Sequence, residues 1–310
     1  MFDGQDVLFP VPKAVPQAGC QLSSRSTLAE ASAEFERHMQ QQFLSENTIK
    51  AFRYDLNILS DYLGKQRAIG EIALNDLEHF VHWLQHERGV PCNVKSLARR
   101  ITTLKVFFGW LAESAVLLAD PAAALIQVQF TTPLPDILYD GQVEQLVAAA
   151  QVLRQAARPD ARPHLLVSLL LATGIKKGEC MAIVLNHLDL SEQPAAVWIR
   201  YANPRYRLKE RKLKLDPAWP GVLEEYKAQY AVADKLFPCT ARNLEYVLAD
   251  VGQLAQLDRP VSFEALRWTC AARDYKAGMA ADELRRKLGL SEITWRQAAV
   301  KLAKLAAPAL

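Results

Sequence analysis

The side chains best suited to chemistry in this sequence are cations in one short stretch. Between Arg200 and Lys214 stand seven of them, Arg200, Arg205, Arg207, Lys209, Arg211, Lys212 and Lys214, against one acid, Glu210, with Tyr201 and Tyr206 interleaved. Such a run can neutralise successive phosphates, releasing counterions and making affinity salt-dependent. Composition alone fits a solvated hairpin face equally well. Lys95, Arg99 and Arg100 form a smaller basic group that could grip phosphates, or be plain helix surface. Arg285, Arg286 and Lys287 suit a helix C-terminus, where cations meet the negative end of the macrodipole. Arg267 lies in an apolar context and could be aimed at phosphate, but Glu264, one helical turn earlier, favours an ion pair with it.

Two other chemistries find less support. His79, His82 and His86 share one helix at steps of three and four, but no carboxylate stands at a clear coordinating spacing. We therefore expect no metal and no cofactor. Ser291 and Thr294 are hydroxyls without an adjacent histidine base, so they are expected to cap a helix rather than attack a substrate.

The elements that would position these residues are mostly helical. Residues 1–27 carry Pro10, Pro12 and Pro16 without a sustained apolar period and are expected to form an irregular arm. Ile49, Phe52, Leu56, Leu59 and Leu63 then step by three and four, with Ser45 and Asn47 as candidate caps. Leu97, Ile101, Leu104, Phe108 and Leu111 repeat the pattern behind Asn93, and Leu74 to His86 lies between. These make residues 28–125 a helical domain of four or five helices. Pro133 and Pro135 place a linker at 126–137. A second domain, 138–310, is expected to be mainly α with a small antiparallel hairpin, Val197–Tyr201 and Leu208–Leu215.

Composition narrows the class. The chain has 310 residues, half of them apolar, and a net charge of +3, which neither demands nor excludes nucleic acid. The longest apolar run, Leu165 to Ala172 and broken by Ser168, is far short of the roughly 20 residues of a membrane span. The N-terminal segment lacks the basic and apolar regions of a secretory signal, so a cytoplasmic location is expected. Five cysteines, odd in number and widely spaced, are read as free thiols.

Several ordered motifs resemble the tyrosine recombinases and phage integrases. Ser45-Glu46-Asn47-Thr48-Ile49 through Leu56, and Phe107-Phe108-Gly109-Trp110-Leu111, look like that family's core-binding domain. Pro133-Leu134-Pro135 is similar to its linker, and Thr173-Gly174-Ile175-Lys176-Lys177-Gly178-Glu179 falls where the family has Thr-Gly-Leu-Arg-x-x-Glu. Steps of eleven separate Arg267 from Gly278 and Gly278 from Gly289, as in the family. The resemblance implies a SAM-like helical DNA-binding domain followed by a mixed α/β domain of recombinase type.

It also implies where the family's working residues would stand. Lys176 replaces the first catalytic arginine, Glu264 the first histidine, Leu290 the histidine of Leu-Gly-His and Ala299 the nucleophilic tyrosine; Trp268 fills a position that is often histidine. Tyr206, or its neighbour Arg205, takes the place of the catalytic lysine, with Lys209 as a substitute; only Arg267 is kept. A guanidinium presents a planar fork to phosphate oxygens that lysine cannot reproduce, although Lys176 would keep a positive charge for binding DNA, and a carboxylate at 264 would repel phosphate. An alanine cannot attack phosphorus. The expectation is a catalytically degenerate protein that binds duplex DNA, with an active recombinase or another protein as a candidate partner and self-association left open. The alternatives are a divergent active recombinase and a protein-interaction scaffold.

Overall fold

The computed structural model describes residues 22–90, 92–127 and 133–306. Two units make it up, one within the first 132 residues and one from Pro133 onward.

In the first unit four helices form where caps and apolar periodicity agree. Helix α1 (Leu28–Gln41) begins with a reciprocal capping box: the Thr27 hydroxyl accepts from the Glu30 amide, and Glu30 accepts from the Thr27 amide. Ser45 caps α2 (Glu46–Leu63), and Asn93 caps α4 (Val94–Glu113) through the Ser96 amide at 2.8 Å; α3 (Leu74–His86) lies between them. Phe35, Phe52, Phe107, Phe108 and Leu59 are fully buried, each contributing about 1.5–3 kcal/mol by leaving water. The segment just before α1 is tied down by backbone bonds from Ile69 to Ser26 and from Gly70 to Ser24. Residues 1–21, most of the expected arm, lie outside the described residues.

Asp55 organises the α2–α4 packing. Its carboxylate, 2% exposed, accepts from Arg99 at 2.5 Å and Thr103 at 3.0 Å, and Arg100 Nε lies 3.6 Å away. Burial raises the Asp55 carboxyl above its usual range despite these partners. Arg100 also donates to Cys92 Sγ at 2.6 Å. The expected basic face is thereby corrected: Arg99 and Arg100 face inward to a buried acid, and only Lys95 is exposed. The Asp55 carboxylate, once buried, draws both guanidinium groups inward because an unpaired buried charge is costly.

The second unit is built on α5 (Asp140–Arg154), α6 (Arg162–Thr173), α7 (Lys177–Met181), α8 (Trp219–Tyr230), α9 (Ala241–Leu254), α10 (Phe263–Lys276), α11 (Ala281–Lys287) and α12 (Glu292–Ala306). Helix α6 carries apolar residues all round, with Leu165, Leu166, Val167, Leu169 and Leu170 fully buried, so it is the central helix of this core. Ile137, the last residue of the expected linker, and Leu138, the first of the expected second domain, are buried in this unit, and the Leu138 amide donates to Thr269 Oγ1 at 2.9 Å. Helix α12 packs on α10 and α11, burying Ala298 and Leu302. Among the described residues no helix is long and apolar enough to cross a membrane.

A small antiparallel sheet, in the order β1 (Leu188–Asp189), β2 (Ala196–Ile199), β3 (Arg211–Lys214), completes the unit. Val197 pairs with Leu213 facing the core, while Trp198 opposite Lys212 faces away. The strands are shorter than the sequence predicts. Residues 200–210 leave the ladder because Pro204 lacks an amide proton and Asn203 Oδ1 accepts from the Arg205 amide, starting a tight 3-10 turn over Pro204–Lys209.

Candidate functional site

Five segments converge in the second unit: the turn after α6, the N-terminus of α7, the β2–β3 connection, α10 and the α11–α12 turn. Gly174 ends α6 at φ 59°, and Gly289 follows α11 at φ 59°, conformations that L side chains rarely adopt. Both glycines also lack room. A methyl on Gly174 would stand 3.1 Å from Leu288 Cδ2, and one on Gly289 would stand 2.7 Å from Arg211 Nη1.

Arg267, buried on α10, ties the two turns together, donating through Nη1 to the Gly174 carbonyl and through Nη2 to the Leu288 carbonyl at 2.7 Å. The predicted Glu264–Arg267 ion pair does not form. Glu264 instead accepts from Trp268 Nε1 at 2.7 Å on the exposed side of α10, because the arginine fork is drawn inward to two carbonyls that have few other donors. Burial lowers the Arg267 pKa, with Glu179 opposing the shift.

A second buried arginine lies beside it. Arg211, whose side chain is 8% exposed, holds Glu179 through Nη2 at 2.9 Å and Nη1 at 3.3 Å, and donates through Nε to the Lys287 carbonyl at 2.7 Å. Glu179 also accepts from the Tyr201 hydroxyl and, as the N3 residue of α7, from the Lys176 amide at 2.8 Å. Burial pushes the Glu179 carboxyl up, but Arg211, Tyr201 and that amide together hold it below its usual range. The Tyr201 phenol moves the other way, pushed up to about 12 by burial and by its bond to Glu179. Arg211 is thus a structural tie and not the exposed phosphate ligand expected from sequence. The sequence reading missed this triad, although a glutamate three residues after Lys176 at a helix start was a capping-box signal.

Lys176 precedes α7 with its side chain in solvent, yet enough protein and charge surround the ammonium to lower its pKa: burial first, then Arg267, Lys209 and Arg211, against Glu179. The turn beyond Tyr201 carries the remaining cations. Arg205 and Arg207 are exposed, as is Arg200, whose guanidinium lies 5.7 Å from the Trp198 ring. Lys209 Nζ lies 5.2 Å over the Tyr206 ring, which sits 5.6 Å from Tyr201. Among the described residues no carboxylate forms a salt bridge with Arg200, Arg205, Arg207 or Lys209. Lys212 differs, held by Asp189 at 2.8 Å and Glu192 at 2.7 Å.

The other predicted positions are apolar or paired. Leu290 is half-buried against the α10–α12 packing with Trp295, and Ala299 is half-buried on α12. Ser291 Oγ accepts from the Thr294 amide at 3.3 Å in the first turn of α12. Arg285 and Arg286 pair with Asp282 on their own helix, and Lys287 with Asp274 at 2.6 Å. His82 lies 3.0 Å from Glu87, and its ring is 4.6 Å from that of His86.

Comparison with known proteins agrees with this architecture. Residues 33–114 match the phage integrase N-terminal SAM-like domain. Tyrosine recombinase XerC of Mycobacterium leprae is 33% identical over 159 residues, 50% of this chain and 52% of that protein. XerC of Anoxybacillus flavithermus is 23% identical over 266 residues, covering 82% of this chain and 86% of the relative. The chain spans about half the length of the first curated relatives it matches. Among solved structures, the Tn1549 transposon integrase with transposon right end DNA superposes at a TM-score of 0.68 with 18% identity, over 91% of this chain and all of that one. XerH recombinase bound to a palindromic difH substrate gives the same TM-score at 16% identity, over 89% and 81%. The chain is similar to tyrosine recombinases and phage integrases, in the sequence of its first unit and in its fold.

Proposed function

We propose that this protein binds duplex DNA without cutting it, as an accessory or regulatory member of a recombination or integration reaction. The observation that carries the reading is a separation of roles within one cluster. Arg267 and Arg211 spend their donors on carbonyls and a buried glutamate, while among the described residues Arg200, Arg205, Arg207 and Lys209 form no salt bridge, and Lys209 is close enough to Lys176 to act on its charge. The first group holds a frame, and the second offers it phosphate-binding charge. Ala299 presents a methyl where the family resemblance puts the nucleophile, and Leu290 a hydrocarbon where it puts a histidine. Binding of DNA by the XerH and Tn1549 relatives, as their structures are described, supports the same ligand here. Strand cutting would then come from a different, active chain.

One observation favours a second reading. Tyr206 carries an exposed phenol among these cations, and attack of its oxygen on phosphorus, with release of a sugar hydroxyl, would make the protein a divergent strand-cutting enzyme. Selection of bound sequences from random duplex DNA, with the eluted complexes checked for adducts that survive detergent, separates the two. We expect enrichment and no adduct. An adduct lost in Tyr206→Phe replaces our reading with the second, and no duplex binding even at low salt leaves a protein-interaction scaffold.

A further inference from the structure

The 3-10 turn over Pro204–Lys209 holds a side chain that neither the core nor the charge explains. Leu208 is 101% exposed, between Arg207 and Lys209, with Tyr206, 38% exposed, beside it. The turn is fixed rather than open: Asn203 caps it, the Tyr206 amide bonds to the Asn203 carbonyl, and the Glu210 amide bonds to the Arg207 carbonyl at 3.0 Å. Its exit is anchored by Arg211 and its entry by the Tyr201 amide donating to Glu210 Oε1 at 3.0 Å. Leu208 is therefore presented to solvent by a framed backbone.

Resting on the DNA-binding reading above, we propose that Leu208 is a wedge that enters a base step of the bound duplex from the minor groove and unstacks it. A single leucine is too small for a protein-docking patch, and scattered surface leucines are ordinary. The distinguishing feature is its company. Arg205, Arg207 and Lys209 would be drawn against phosphates, which brings Leu208 to the duplex surface, where the largest apolar faces are those between stacked bases. An apolar side chain flanked by cations is the arrangement by which proteins open base steps and kink DNA, by about 20–90°. Tyr206 adds an aromatic face on which an exposed base can stack.

The test uses the full chain and end-labelled duplexes taken from its own selected pool, read by energy transfer for bending and by 2-aminopurine fluorescence for unstacking. A mismatch at the contacted step lowers the cost of opening it. Wild type is expected to bend and unstack the duplex and to bind the mismatched form about tenfold tighter. Leu208→Ala, which changes a fully exposed side chain, is expected to keep the salt slope set by the phosphate contacts while losing bending, unstacking and the mismatch preference. Arg205→Glu with Arg207→Glu is expected to lose duplex binding. Absence of wild-type binding at low salt overturns the DNA reading and the wedge together. Binding without a bend, or bending that survives Leu208→Ala, overturns the wedge alone.

Discussion

Arg211→Met distinguishes a structural arginine from a DNA-contacting one at the position where sequence and structure disagree. The substitution keeps an unbranched apolar stem and removes the guanidinium from a carboxylate whose side chain is 3% exposed. Glu179 then retains the Lys176 amide and the Tyr201 hydroxyl but loses both of its guanidinium bonds. Breaking one side of a buried pair costs about 3–5 kcal/mol. The Lys287 and Lys209 carbonyls each lose a donor, at 2.7 and 3.0 Å. We therefore expect about 3–4 kcal/mol, which for a unit of this size is a fall in Tm of roughly 6–16 °C. Chemical denaturation of wild type, Arg211→Met, Glu179→Met and the double variant gives the coupling directly, expected at about 2–3 kcal/mol. In the same proteins the salt slope of duplex binding should be unchanged by Arg211→Met. A loss below about 1 kcal/mol, additive single variants, or a shallower salt slope would refute the reasoning and return Arg211 to the phosphate-binding set.

Two further outcomes follow from the same cluster. Gly289→Ala forces an L residue to φ 59° and places a methyl 2.7 Å from Arg211 Nη1, so urea denaturation should show a loss of at least about 1–2 kcal/mol, reduced in the Arg211→Met background. The Tyr201 phenol, raised from 10.0 to about 12, contributes stability that is complete below pH 10 and is lost as pH rises towards 12, since the unfolded chain ionises first. Tyr201→Phe should flatten that limb of the pH–stability curve; an unchanged alkaline limb counts against the buried bond to Glu179.

Much of this protein is written locally. Ser45, Asn93 and the three- and four-residue apolar steps placed α2 and α4, because capping and amphipathicity act within one or two turns. Gly174 and Gly289 stood out in the sequence by motif and spacing, and the structure puts both in left-handed turns. What sequence could not assign was the partner of each charge. Arg99, Arg100 and Arg211 read as surface cations by their neighbours in the chain, yet their acids, Asp55 and Glu179, lie 44, 45 and 32 residues away respectively. Glu264, at one helical turn from Arg267, looked like the partner and was not, because two carbonyls from distant turns met the guanidinium first. Sequence by itself therefore determined the helices of the first unit, the family resemblance and the total of positive charge. Only the tertiary structure decided which cations are spent on buried groups and which remain for a ligand, because Coulomb energy depends on distance and burial in space, and neither is carried by position along the chain.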